Sequence, residues 1–186
     1  MENLYSRRNF VKASATGVAG ILLLSKCNSS ENTHWHFFKE NEALAIEAMC
    51  EQIIPTDYDP GAKEANVINF IDKQLVSNYS EFQETYQQGI KGLQETSQIM
   101  FGNVFENLKW DDQYKVLLSL ESGNAKGKVW ENESASNFFN LVRTHTMQGF
   151  YGDPKHGGNK NHMSYKMLKL DYPQIIGQNR YNHPKS

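Results

Sequence analysis

From about residue 37 to residue 150 the apolar residues recur at three- and four-residue intervals, and no alternating run reaches convincing strand length. A chain patterned this way buries its apolar surface by packing helix on helix. Ala43, Leu44, Ile46, Met49, Cys50 and Ile53 form a first stripe, which Pro55 ends. Val67, Ile68, Ile71 and Leu75 form a second, after the turn Asp59-Pro60-Gly61. Phe82, Tyr86, Ile90, Leu93 and Met100 form a longer third, interrupted by Gly89 and Gly92. The fourth comprises Tyr114, Leu117, Leu118 and Glu121. It starts at Trp110-Asp111-Asp112, where acidic residues suit a helix start, and Gly123 closes it. Phe138, Phe139, Val142, Thr146 and Phe150 make the fifth, with Ser134 or Ser136 as its cap. The expected fold class is all-α: a small bundle of about five helices with a long Gly/Pro-rich C-terminal segment.

Length and composition allow this. A chain of 186 residues, 39% hydrophobic and 12% aromatic, builds one packed core, and 22% charge excludes a disordered chain. The net charge of -2 removes the electrostatic case for a nucleic-acid partner.

Charge is unevenly placed. Residues 1–27 hold four of the 19 basic residues (Arg7, Arg8, Lys12, Lys26) and one of the 21 acidic ones, Glu2, so the rest of the chain carries -5. This charged start precedes the apolar run Val18 to Leu24, which is the layout of an export signal. The run is too short to span the ~30 Å hydrocarbon layer. Ser6-Arg7-Arg8-Asn9-Phe10-Val11-Lys12 resembles the bacterial twin-arginine signal, with Ser6, Arg7, Arg8, Phe10 and Lys12 as its recognised positions. That resemblance implies a passage through the twin-arginine translocase, which exports folded cargo, and a periplasmic destination. Leu24-Ser25-Lys26-Cys27 looks like a lipoprotein cleavage box, with Lys26 where a small residue is usual. Two readings of Cys27 stay open: a lipidated N-terminal residue, or an incidental thiol in a leader processed otherwise. A Cys27–Cys50 bridge is a third, which competes with lipidation. The domain layout expected is a signal over 1–27, a polar tether over 28–38 and one folded domain over 39–186.

The folded part offers little catalytic equipment of its own. The six histidines form no His-x3-His pair and no Glu-x-x-His element, so surface histidines are the expectation rather than a metal site. Cys50 falls on an apolar stripe and reads as a buried thiol. There is no Gly-x-Ser-x-Gly elbow, no P-loop, no dinucleotide fingerprint and no Cys-x-x-Cys-His. The expectation is therefore no catalytic, cofactor-binding or metal-binding residue in this chain.

The run Thr146-Met147-Gln148-Gly149-Phe150-Tyr151-Gly152-Asp153-Pro154-Lys155-His156-Gly157-Gly158-Asn159 resembles the signature of the gluconate 2-dehydrogenase subunit 3 family. Tyr165 stands where that family usually has Trp, and Gln174, after Tyr172-Pro173, stands where Gly is usual. Upstream, Glu51-Gln52-Ile53-Ile54-Pro55-Thr56-Asp57 and Pro60-Gly61-Ala62 resemble its first helix end and turn. The similarity runs from about residue 40 to 175. It implies a small subunit without a redox centre. Its partner is a large FAD-containing dehydrogenase of the glucose-methanol-choline type, acting on a sugar, sugar acid or polyol. A cytochrome c subunit often carries the electrons onward. The small subunit supports maturation of the large one and supplies its export signal.

Within the signature, Phe150, Tyr151, Gly152, Asp153, Pro154, His156, Gly157, Gly158, Asn159 and Tyr165 are the expected partner interface. The glycines allow close backbone approach, the aromatics supply rigid contact area, and His156 and Asn159 supply hydrogen bonds. The competing reading is that this segment wraps the subunit's own helices. Two other function classes remain: a stand-alone envelope lipoprotein that stacks carbohydrate on Trp35, Trp110 or Trp130, and a small enzyme using a histidine or Asp153.

Overall fold

The computed structural model describes residues 35–170. The described residues form an all-α bundle with no strand. Its helices are α1 (Glu40–Ile53), α2 (Val67–Leu75), α3 (Gln83–Phe101), α4 (Trp110–Glu121), α5 (Ala135–Tyr151) and α6 (Met163–Met167), joined partly by single 3-10 turns. The leader residues Ser6, Arg7, Arg8, Phe10 and Lys12, the candidate lipidation site Cys27, and the end of the signature at Tyr172-Pro173 lie outside the described residues.

α5 is the hub. It packs against α1, α2, α3, α4 and α6. Ser134 caps it by accepting the Asn137 N–H, which decides between the two candidate serines. Phe138 and Phe150 are fully buried from α5, and Ile46 and Met49 meet them from α1, Ile71 and Leu75 from α2, and Tyr86 and Leu93 from α3. Gly89 and Gly92 do not interrupt α3. They are where α3 admits large rings, since a Cβ would fall 2.1 Å from the Phe138 ring at Gly89 and 2.3 Å from the Trp130 ring at Gly92. Trp130 completes that contact by donating its Nε1–H to Thr96 Oγ1 at 2.8 Å.

The stripe expected on α4 is placed differently. Tyr114 and Leu118 are 58% and 48% exposed, while α4 buries Gln113, Val116, Leu117 and Leu120. A glutamine takes the interior place because its amide is satisfied there: Nε2 donates to Phe105 O, and Oε1 accepts from Gln52 Nε2. Leu44 is likewise exposed on α1, where Ala43, Ala45 and Ile46 face inward. The sixth helix, α6, lies in the tail that showed no periodicity. Five residues are too few to display a period.

The turn after α1 is held by one carboxylate. Glu51 Oε1 accepts the Thr56 N–H at 2.7 Å and its Oε2 accepts the Lys63 N–H at 2.9 Å. The loop through Pro55 and Pro60-Gly61-Ala62 is thereby pinned at both ends, and Ala62 N–H donates to Ile54 O.

A second carboxylate fixes the start of the domain. Asp72 of α2 is 1% exposed. Its Oδ2 accepts the His36 N–H at 2.8 Å, and its Oδ1 accepts those of Phe37 and Phe38 at 2.9 and 3.2 Å. Phe38 is buried and meets Tyr86 edge-on at 5.8 Å. The last residues of the span read as a tether over 28–38 are thus part of the packed domain. A buried carboxylate is tolerated only when hydrogen-bonded this fully. Asp72→Ala is expected to destabilise the domain by roughly 2–4 kcal/mol in urea unfolding, with new protease cleavage near residues 35–38. Asp72→Asn should be nearly as damaging, because an amide NH2 would face an N–H.

Candidate functional site

The signature segment folds back on α5 and α2. α5 ends at Tyr151, and Gly152 N–H donates to Gln148 O at 2.8 Å. Asp153 caps the following turn by accepting the Lys155 N–H, which holds its carboxyl below the usual range, and Pro154 opens that turn. Gly157 adopts φ 106°, and its carbonyl accepts from Asn69 Nδ2 at 2.7 Å. Gly158 lies against α5, where a Cβ would stand 2.2 Å from the Gly149 carbonyl oxygen. Asn159, fully buried at φ 44°, closes the loop. Its Nδ2 donates to Gly152 O at 2.8 Å and its Oδ1 accepts the Ser164 N–H at 3.0 Å. Lys160 N–H donates to Ala65 O, tying the segment to the start of α2.

This geometry divides the expected partner interface. Phe150, Gly158, Asn159 and Tyr165 are buried within the chain itself. The contact area of Phe150 and Tyr165 and the hydrogen bonds of Asn159 are used within this subunit. Gly152 and Gly157 are half-buried, and the backbone of Gly157 is engaged with Asn69. What the segment presents outward is Tyr151, His156 and Lys155, the last paired with Asp153 at 3.3 Å, with Asp153 and Pro154 half-buried beside them. Met147, one turn before Tyr151, is exposed on the same helix.

The other candidates are dispersed. Cys50 is a free, buried thiol, 3.2 Å from Thr146 Oγ1, and burial pushes its pKa up to about 12. Cys27, the other member of the Cys27–Cys50 bridge considered above, lies outside the described residues. Trp35 donates to Glu40, Trp130 sits on Gly92, and Trp110 is half-exposed; Trp110 and Trp130 line different clefts. Among the described residues no group of three or more His, Cys, Asp or Glu is arranged to hold a metal ion, and no helix is long and apolar enough to cross a membrane.

Sequence reasoning missed His145. It was an ordinary member of α5, yet it is 3% exposed, with Nδ1 3.0 Å from the Tyr86 hydroxyl. Its ring lies nearly parallel to those of Tyr79 and Tyr86, at centroid distances of 4.4 and 5.9 Å, and Phe82 meets it edge-on. Burial lowers its pKa to about 4, against the opposing pull of Glu81. It lines an open groove of about 440 Å³ with Tyr79, Phe82, Asn137, Asn140, Leu141, Thr144 and Gln148. The only signal in the sequence was three aromatics, Tyr79, Phe82 and Tyr86, spaced to share one side of a helix start.

Compared with protein-family models, residues 40–171 match gluconate 2-dehydrogenase subunit 3. The chain belongs to that family. Comparisons with curated proteins and with solved structures gave no match. The match begins at the first residue of α1 and ends one residue beyond the described chain, so the whole described bundle is the subunit 3 domain. This chain is accordingly a subunit type of a dehydrogenase complex, and its family signature is, in structure, the clasp between α5 and α2.

Two outcomes are expected. Gly158→Ala forces the clasp away from Gly149 and should lower stability by about 1–3 kcal/mol in urea unfolding. The second concerns pH. The unfolded imidazole takes up its proton near pH 6.5, the buried one only near pH 4. Stability present above pH 6.5 is therefore lost as pH falls toward 4, by roughly 3 kcal/mol in all. Thermal unfolding across this window should show the loss, and His145→Gln should flatten it.

Proposed function

We propose that this subunit is the non-catalytic escort of a larger flavoprotein dehydrogenase. The partner carries FAD and oxidises a sugar, sugar acid or polyol. The observation that carries this reading is the subunit 3 family match over residues 40–171. The flavin is assigned to the partner because this sequence contains no dinucleotide fingerprint. The domain's internal order supports an escort role. Its Gly-rich signature is closed by its own hydrogen bonds, so Met147, Tyr151 and His156 are presented on a surface already in place, and little ordering entropy is lost on association.

The leader completes the role. Arg7 and Arg8, within a twin-arginine-like pattern, direct the folded pair to the translocase and the periplasm. The complex stays at the membrane through its other subunits, a cytochrome c among them, or through a lipid on Cys27.

The test is affinity purification of the tagged full chain from native membranes. A yellow, flavin-absorbing eluate with a second chain of dehydrogenase size is expected. An eluate holding this chain alone would overturn the escort role. Separately, Arg7→Lys with Arg8→Lys should leave the large chain in the cytoplasm. Normal export of the large chain from that strain would remove the leader from the proposal while leaving the complex intact.

A further inference from the structure

The groove beside His145 has a polar group that the fold does not use. Tyr86 is fully buried, and among the described residues the sole partner of its hydroxyl is His145 Nδ1. A buried O–H with no acceptor costs about 1–3 kcal/mol, so the phenol donates and Nδ1 accepts. A neutral imidazole accepting at Nδ1 carries its proton on Nε2. That N–H has no partner among the described residues, and the ring lines the groove.

The rest of the lining continues this pattern. Gln148 Oε1 is taken by the Tyr79 hydroxyl at 2.8 Å, which leaves its NH2 as a donor. Thr144 donates to Asn140 O, which leaves its hydroxyl lone pairs free. The side-chain amides of Asn137 and Asn140 are exposed at the rim and make no hydrogen bond among the described residues. Tyr79, Phe82 and Leu141 supply the apolar part of the surface.

The chemistry narrows the ligand. No side chain lining the groove carries a charge at neutral pH, which disfavours an ionic ligand. A wholly apolar ligand would strip water from three amides and return no hydrogen bonds. Donors and acceptors set side by side around an apolar floor fit a molecule whose groups both donate and accept, and which has a C–H face.

We propose that this groove binds a neutral polyhydroxylated molecule, a sugar or polyol, with a hydroxyl accepting from His145 Nε2–H and the amides of Asn140 and Gln148 bonding its neighbours. The site lies in this chain alone. It goes beyond the escort role and does not depend on it.

The experiment is an NMR titration of the purified full chain with D-glucose and with sorbitol, and with gluconate as the anionic control. The imidazole 15N signals of His145 are followed. The free protein should show the proton on Nε2. Glucose or sorbitol should shift that signal saturably, and gluconate should bind more weakly. Asn140→Ala lies on the exposed face and removes no hydrogen bond of the described residues, whereas Gln148→Ala, also exposed, removes the acceptor of the Tyr79 hydroxyl as well. Each should weaken binding by about three- to tenfold. His145→Phe, which keeps the stack but not the donor, should weaken it further. A proton on Nδ1, no saturable shift up to the solubility of either sugar, gluconate binding as well as glucose, or unchanged affinity in both amide variants would each overturn the proposal.

Discussion

All the other helices close on α5, so one stretch of 17 residues has its surface divided among five neighbours. Phe138, Phe139, Val142 and Phe150 supply apolar area. Gly149 supplies a flat place where the signature backbone descends on the helix. His145 supplies a ring that stacks between tyrosines, with a nitrogen that satisfies a buried phenol. Close packing makes these demands incompatible with one another at any given position, so the order of residues along α5 is tightly constrained.

Around this hub the domain is tied by short-range polar locks at its loops. Asp72 takes three N–H groups from the chain leading into α1, Glu51 takes two across the turn that follows it, and Asn159 bridges Gly152 at the end of α5 to Ser164 of α6. Each lock uses a charged or amide group to satisfy backbone donors or carbonyls that a loop would otherwise leave unpaired. The result is irregular backbone whose polar groups are hydrogen-bonded within the chain. That suits a subunit whose family role is to sit within a larger dehydrogenase complex.

The apolar surface left outside the bundle is uneven. Trp110, Tyr114 and Leu118 stand at successive turns of α4, and Met147 and Tyr151 at successive turns of α5. In a monomer such rows are unusual.

The fold class was legible before any coordinates, because a 3.6-residue period is a local property and persists in every long helix here. The Ser134 cap region, the acidic start of α4 and the stop at Pro55 were legible for the same reason. The residues carrying the family signature could also be read in order. Which way they face could not. Gly158 and Asn159 turn inward because Gly149 offers Gly158 close backbone contact and Asn159 bonds Gly152 O and Ser164 N–H, while Ala65 and Asn69, distant in the chain, bond the flanking Lys160 and Gly157. Gln113 displaced Tyr114 from the interior for a similar reason, through Gln52 and the Phe105 carbonyl. The His145 stack needs three elements to meet. Sequence by itself determined the period, the caps, the missing cofactor motifs and the family. Tertiary structure alone decided which polar groups found partners, since a hydrogen bond between residues tens of positions apart leaves no trace in local spacing.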